Sequence, residues 1–363
     1  MNPMSDNTRQ KIDQSLALFL HNAQRKYRMG ILPQILYESI REFVLREGKR
    51  IRPALMIYSY KGYSRRSRPI SPSIYYVSTC IELLHNFMLI HDDIIDCSDL
   101  RRGKPTMHRL LMKTVTSKNP NKLGADLAIV TGDIVYALAI DAFLSIKEEP
   151  QRKEAALRYF IQTAVFTAMG EFIDTVFGVK DVPRVSEKDV LLNYSLKTAR
   201  YTFDCPLVVG AMLSGAPAKD IRLLAELGLL VGQAFQIQDD IIGIFDTQKN
   251  IGKSILSDLA EEKKTILVTH AFKTLKGAPK AQFLQIFRKP CKTYADLIAI
   301  RKIFLRAGSL QYSLDEIQRR VRRAETIFTK LTMKPQYRHR IGATLLQLFK
   351  HSRQIANQYG LTE

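Results

Sequence analysis

Apolar residues return at threes and fours along most of the chain, the period of helices with one buried face. Ile74, Val77, Ile81, Leu84 and Met88 mark such a face on a rod that ends Asp92-Asp93-Ile-Ile-Asp96. A second rod, from about Ala218 to Ile244, carries Phe235-Gln236-Ile237-Gln238-Asp239-Asp240 near its end. The same period predicts helices over about 34–46, 53–60, 126–146 and 153–178. Ser186 with Asp189 three residues on makes a capping box for the next helix, which carries Lys197 and Thr198. Pro206 falls inside that run and is expected to kink or break it. Four or five further helices are expected from about Thr265 to Tyr359, and strand alternation stands out nowhere. The pattern predicts an all-α fold, a single large bundle of a dozen or so helices. Residues 1–30 form a polar, helical extension to it, and 31–363 the helical domain with basic C-terminal helices.

Between the rods lie basic interruptions. Gly48-Lys49-Arg50-Ile51-Arg52-Pro53 sits at a helix junction, where Pro53 can open the next helix. Residues 62–72 read as a loop. Residues 98–125 form a long connection holding Arg101-Arg102-Gly103-Lys104-Pro105-Thr106, and connections of that length in compact domains are usually functional or disordered.

Composition narrows the class. With 46% hydrophobic and 25% charged residues over 363 positions, the chain has the balance of a globular protein with ample material for a core. No stretch approaches the ~20 consecutive apolar residues of a membrane span, and the first 30 residues show no signal peptide. Cys80, Cys97, Cys205 and Cys291 lack paired spacing, which argues against a zinc site or a disulfide framework and suits a reducing cytoplasm. Net charge is +20, and residues 301–363 hold 13 Lys/Arg against 4 Asp/Glu, with Arg319, Arg320, Arg322 and Arg323 together. Such a field attracts nucleic acid, anionic membranes and acidic small molecules alike. No nucleic-acid-binding signature accompanies it, so nucleic acid is not expected as a partner, while weak peripheral contact with a membrane is compatible.

The acids change the picture more. On one helix Asp92 and Asp96 lie about 40° apart, with Asp93 flanking them. Three carboxylates cannot share a half-buried spot unless cations neutralise them. An oxygen-only ligand set suits Mg²⁺, which keeps several waters and is commonly shared with substrate phosphates. A lone DDxxD is more often a solvated helix end; the second cluster at Asp239 and Asp240 shifts the balance. If the two rods pack side by side, the acids face each other across a central cavity and hold several Mg²⁺ there, with a diphosphate bridging the ions and an apolar slot below. Diphosphate above hydrocarbon describes an isoprenoid substrate.

In sequence order GKRIRP at 48–53, ELLH at 82–85, DDIID at 92–96, LRRGKPT at 100–106, GD at 132–133, KTA at 197–199, FQIQDD at 235–240 and lysines at 253 and 263 resemble the trans-isoprenyl diphosphate synthases. This is the family of farnesyl and geranylgeranyl diphosphate synthases, and the resemblance covers about residues 40–330. It implies that Asp92, Asp96 and Asp239, with Asp93 and Asp240, hold Mg²⁺ on an allylic diphosphate. It also implies that Arg101, Lys197, Thr198, Gln236, Lys253 and Lys263 grip that diphosphate, with Lys197 among the catalytic set. Lys49, Arg52, His85 and Arg102 would hold isopentenyl diphosphate, and a homodimer is implied. His85 is about 20° from Asp92, two turns back, although a histidine on an apolar helix is commonly a core residue.

The implied reaction is ionisation of the allylic C–O bond, attack by isopentenyl diphosphate and proton loss, with metals and cations stabilising the departing pyrophosphate. Growth stops at a floor, which the resemblance places at Phe87 and Met88. Two large side chains there argue against C30 products and beyond, and the aromatic-then-aliphatic pair favours C20 over C15. Two departures stand out: the second cluster reads Asp239-Asp240-Ile-Ile-Gly243 without a third aspartate, and Glu171 occupies a position where many relatives carry Gln, before Asp174. The alternatives are a class I terpene cyclase, opposed by GKRIRP and Arg101-Arg102; an HD-type phosphohydrolase, opposed by the few and scattered histidines; and a non-catalytic subunit of a heteromeric synthase, opposed by the retained aspartates and cations.

Overall fold

The computed structural model describes residues 6–29, 35–64, 72–114, 116–246 and 256–361. The fold is all-α. Helices α1 (Asp6–Lys26), α2 (Ile35–Val44), α3 (Ile51–Tyr63), α4 (Pro72–Ile95), α5 (Met107–Leu111), α6 (Pro120–Leu144), α7 (Pro150–Val179), α8 (Glu187–Tyr194), α9 (Cys205–Ser214) and α10 (Ala218–Phe245) carry the residues singled out above. Beyond them come Ser257–Ala260, Ile266–Thr274, Gly277–Phe287, Tyr294–Arg306, Ser309–Thr329, Pro335–Leu348 and Lys350–Gln358. Six helices therefore follow Thr265 where four or five were expected; short breaks at Leu275, Gly308 and Phe349 end helices without a long polar run to announce them.

Two compact units divide the chain. The first comprises Met1–Ala164, Cys205–Leu224 and Thr332–Thr344; the second comprises Val165–Asp204, Ala225–Leu331 and Leu345–Glu363. The expected boundary at residue 30 is not one of these divisions, because α1 lies within the first unit and buries Ile12, Leu16, Phe19, Leu20 and Ala23. In that unit α3 is buried on every side from Ala54 to Tyr58 and packs on α4 and α9. The Ser59 hydroxyl donates to the Leu207 carbonyl at 2.6 Å. Buried Asp220 accepts from the Tyr63 hydroxyl at 2.7 Å and from the Thr332 amide at 2.7 Å, tying the Thr332–Thr344 segment to it. The second unit has its own core around Phe283, Phe287, Phe304 and Leu310. There Gln238 donates to the Leu348 carbonyl at 2.7 Å and accepts from the Ser352 amide at 3.1 Å, so the second Gln of FQIQDD is a structural tie.

Two local features depart from the expected pattern. The connection over 98–125 is ordered where described: Leu100–Arg101 pairs antiparallel with Lys104–Pro105, α5 follows, and α6 starts at Pro120 with Asn119 as its cap. A two-residue strand has no alternation to read. At Pro206 the chain neither stops nor simply kinks. Residues Ser195–Asp204 adopt the wider π-helical pattern, and Pro206 sits at the second position of α9, where its missing N–H and ring are accommodated by the loosened turn before it. The capping box at Ser186 and Asp189 is present, with both reciprocal hydrogen bonds.

Candidate active site

The first unit presents the end of α4. Asp93 points inward and is fully buried, whereas Asp92 and Asp96 are half-buried and offer oxygens within 4.8 Å of each other. Arg101, delivered by the short hairpin, donates to Asp93 at 2.7 Å through Nε and to Asp92 at 2.8 Å. Thr106 fixes the hairpin by donating to the Ser98 carbonyl at 2.8 Å. Burial pushes the Asp93 carboxyl up to about 6, against the pull of the Arg101 guanidinium beside it. Its second oxygen is buried and has no hydrogen-bond partner among the described residues. All the donors are hard oxygens, the kind that Mg²⁺ or another hard divalent cation takes.

Beside the acids lies a cationic cluster. Arg50, held at φ 46°, is buried and spent internally: it donates to Glu82 at 2.5 Å and to Asp13 at 2.8 Å. Of its neighbours in GKRIRP, Lys49 is exposed and Arg52 half-buried. Arg102 donates to the Glu47 carbonyl at 2.8 Å, and a Cβ on Gly48 would come within 2.7 Å of its guanidinium, so glycine there admits the arginine. His85 is buried, and burial together with Arg52, Arg102, Arg101 and Arg50 holds its imidazole well below the usual range. It is therefore neutral at pH 7 and contributes a hydrogen-bonding edge, not a charge, beside these arginines.

One to two turns behind Asp92 stand Phe87 and Met88, both half-buried. The Phe87 ring packs on Tyr136 of α6 at 4.9 Å and on His91 at 4.8 Å. His91 fits because residue 132 is glycine; a Cβ there would lie 2.3 Å from its ring. Tyr136 is a contact of Phe87 that sequence reasoning missed, because a tyrosine on a helix that is apolar nearly all round has no periodic signal.

The second unit organises Lys197, Thr198, Gln236, Asp239 and Asp240. Lys197 and Thr198 lie on the π segment. Gly170 of α7 lets it approach, since a Cβ would meet the Lys197 amide at 2.3 Å, and Gly232 of α10 does the same for Ala199. Lys197 is clasped by Asp174 at 2.7 Å and by Glu171 at 3.0 Å, and Asn193 donates to Asp174 at 2.9 Å. Asp174 and Glu171 thus both serve the lysine. On α10 Asp239 is exposed and Asp240 buried. The Thr198 hydroxyl donates to Gln236 at 2.6 Å, Gln236 donates to Asp240 at 3.0 Å, and the Tyr194 hydroxyl donates to the other Asp240 oxygen while accepting from the Ile266 amide at 3.1 Å. Burial and the adjacent Asp240 hold the Tyr194 phenol well above its usual range, so it remains a donor. Tyr194 is the second residue sequence reasoning missed. Lys263 pairs with Glu261 at 2.8 Å and lines the same small cavity as Asp240. Lys253 lies outside the described residues.

Two helices carrying oxygen-donor acids near their ends, the first pair answered by an arginine, form the arrangement of an all-α enzyme that handles phosphate groups. The polyprenyl synthetase family profile matches residues 33–303, and the chain belongs to that family. It is similar to a short chain isoprenyl diphosphate synthase of Methanocaldococcus jannaschii, 31% identical over 77% of this chain and 76% of that one. It is 32% identical to a geranylgeranyl diphosphate synthase of Sulfolobus acidocaldarius over 80% of this chain and 81% of that one. Its fold superposes on the crystal structure of a geranylgeranyl pyrophosphate synthase from Corynebacterium glutamicum, complexed with isoprenyl diphosphate and magnesium, with a TM-score of 0.87, 23% identity and coverage of 96% and 99%.

Proposed function

We propose that the protein is a short-chain trans-prenyltransferase that condenses isopentenyl diphosphate with an allylic diphosphate and releases geranylgeranyl diphosphate. One juxtaposition carries the reading: the Asp92/Asp96 pair, the arginine cluster around a neutral His85, and the Phe87–Tyr136 aromatic contact all belong to one unit. They supply, in that order, an allylic diphosphate site, an isopentenyl diphosphate site and a hydrocarbon stop. The relatives named geranylgeranyl diphosphate synthases support the C20 product.

In the first unit Asp92 and Asp96 would hold Mg²⁺, and in the second Asp239 and the hydrogen-bonded Asp240 would do so, several ions in all. Bound there, Mg²⁺ supplies Lewis acidity to the diphosphate oxygens. Arg101, Lys197 and Lys263 neutralise the charge that grows on the leaving group as the allylic C–O bond breaks with its electron pair going to oxygen. Lys49, Arg52 and Arg102 hold the second diphosphate, and neutral His85 orients it without adding charge. The π electrons of isopentenyl diphosphate form the new C–C bond, and the proton lost from the adjacent carbon goes to the released pyrophosphate. Apolar residues around Phe87 exclude water that would quench the cation.

The proposal includes a homodimer in the cytoplasm. On α6 the exposed face carries Ile129, Val130, Ala137 and Leu144, with Asp126 and Asp133 among them, while the opposite face packs on α4; a second copy is the cover proposed for the apolar positions. The cysteines are all unpaired, in keeping with a reducing compartment. The function is tested by incubating the purified protein with Mg²⁺, labelled isopentenyl diphosphate and each allylic starter, then separating the dephosphorylated alcohols. A C20 alcohol is expected. No incorporation from any starter by a folded dimer would overturn the reading.

A further inference from the structure

The positive charge is unevenly used. From Phe272 to Arg306 the sequence holds nine Lys/Arg and a single acid, Asp296. Four of those cations are engaged: Arg288 with Asp181 at 2.6 Å, Lys289 with Asp296 at 2.8 Å, Lys292 with Glu262 at 2.9 Å, and Arg301 with the Ile244 and Asp246 carbonyls at 2.5 and 2.8 Å. The other five have no carboxylate partner among the described residues: Lys273, Lys276, Lys302 and Arg306 are exposed, and half-buried Lys280 lies over the Phe272 ring. Between the helices Gly277–Phe287 and Tyr294–Arg306 runs a groove of about 360 Å³, large enough for part of a lipid or drug-sized ligand. Its walls are Leu275, Pro279, Ile298 and Ile303, and Lys302 and Arg306 stand at its edge. Ile298 and, at the start of the same helix, Tyr294 are exposed.

We propose that this groove docks the protein on an anionic phospholipid bilayer, lipid phosphate sitting at Lys302 and Arg306 and acyl carbons entering between Pro279, Ile298 and Ile303. Charge alone would serve nucleic acid as well. Apolar side chains beside basic ones favour a lipid surface, since acyl carbons can bury against Leu275, Pro279, Ile298 and Ile303, a gain that a nucleic-acid backbone could not make, and lysine stems can lie along the groove with their ammonium groups at the headgroups. A tyrosine exposed beside it has the polar tip and apolar body typical of membrane interfaces. Docking of this kind rests on the prenyltransferase reading only for its purpose, which is to release an amphiphilic product at a membrane; the contact itself does not depend on it.

Vesicle sedimentation tests the proposal, using the full-length protein with vesicles of phosphatidylcholine alone or mixed with phosphatidylglycerol. Wild type should sediment with the anionic vesicles only, and release as salt is raised. The Lys302→Glu/Arg306→Glu variant should bind at least about 30-fold more weakly, and Ile298→Asn should weaken binding at physiological salt. The Arg322→Glu/Arg323→Glu variant reverses two exposed charges on Ser309–Thr329 and should bind as wild type. Failure of wild type to bind, unchanged binding by the 302/306 variant, or equal loss in both double variants would each overturn the groove. Prenyl transfer in vesicle-free solution, measured in parallel, should be the same for all these variants, which separates loss of docking from loss of fold and from failure of the functional reading.

Discussion

The two aspartate pairs look alike in sequence and are built differently. At the end of α4, Asp92 and Asp93 are answered by a full charge, the Arg101 guanidinium, carried on a short hairpin. On α10, Asp240 is answered by neutral donors, Tyr194 and Gln236, that are themselves fixed by a backbone amide and by Thr198. The nearby cation, Lys197, is already compensated by Asp174 and Glu171. The first region is thus a charge-balanced site whose arginine can exchange an acid for a phosphate. The second is a pre-oriented one whose geometry is set before any ligand arrives. Charge should dominate perturbations of the first and orientation those of the second.

The largest effect should come from removing charge in the first region. Asp92→Ala is expected to lower kcat by about 1,000-fold or more, as it removes a carboxylate that would hold the cation neutralising the departing pyrophosphate. The same measurement on Gln236→Ala, which removes only an orienting donor, should show a smaller loss. Equal losses would erase the distinction between the two regions.

Next in size is a stability effect confined to the first region. The folded Asp93 carboxyl sits at about 6 against 3.8, raised by burial. A shift of about two units corresponds to about 3 kcal/mol. The folded state holds this proton more tightly than the unfolded chain, so the stability it contributes is complete below about pH 4 and is lost as pH rises through about 6. In EDTA, Asp93→Asn should flatten that dependence and leave the variant more stable than wild type at pH 7.5 but not at pH 4. Urea midpoints at the two pH values measure it; a wild type equally stable at both would refute the burial argument.

What the sequence disclosed follows from what periodicity can carry. Asp92, Asp96, Asp239 and Asp240 were legible because each pair closes an apolar rod, and the all-α fold because nearly every helix has a buried stripe. Contacts between distant positions were not. Tyr194 and Asp240 are 46 residues apart, and nothing in Asn193-Tyr194-Ser195 marks the phenol as a donor. Within GKRIRP the resemblance separated Lys49 and Arg52 from Arg50, but only the structure, through burial and a left-handed backbone, gives Arg50 its partner, Glu82. The hairpin carrying Arg101 is too short for a strand signal, and the π segment carrying Lys197 was visible only as an awkward Pro206.

A smaller change sharpens the second region. Tyr194→Phe keeps the ring and removes the hydroxyl that orients Asp240, so metal affinity should fall about tenfold, in the range expected when an outer partner of a ligand is lost. Calorimetric titration of Mg²⁺ in the presence of pyrophosphate reads this directly. An unchanged Kd would mean that Gln236 alone orients the carboxylate.

The smallest effect on rate should accompany the clearest effect on product, and it belongs to the first region alone. Phe87 packs on Tyr136 along the apolar side of α4, about one and a half turns before Asp92. Replacing it with alanine removes volume where the growing chain ends while leaving Asp92, Asp96 and Arg101 in place, so total incorporation should stay within about threefold of wild type. Product length should increase by at least one isoprene unit. Because Tyr136 forms the other half of the contact, Tyr136→Ala should also lengthen the product, and the double variant should exceed either single change if the two rings act as one barrier. Chromatography of the alcohols decides the matter: an unchanged C20 product from all three variants would place the stop elsewhere and reduce Phe87 and Tyr136 to core packing.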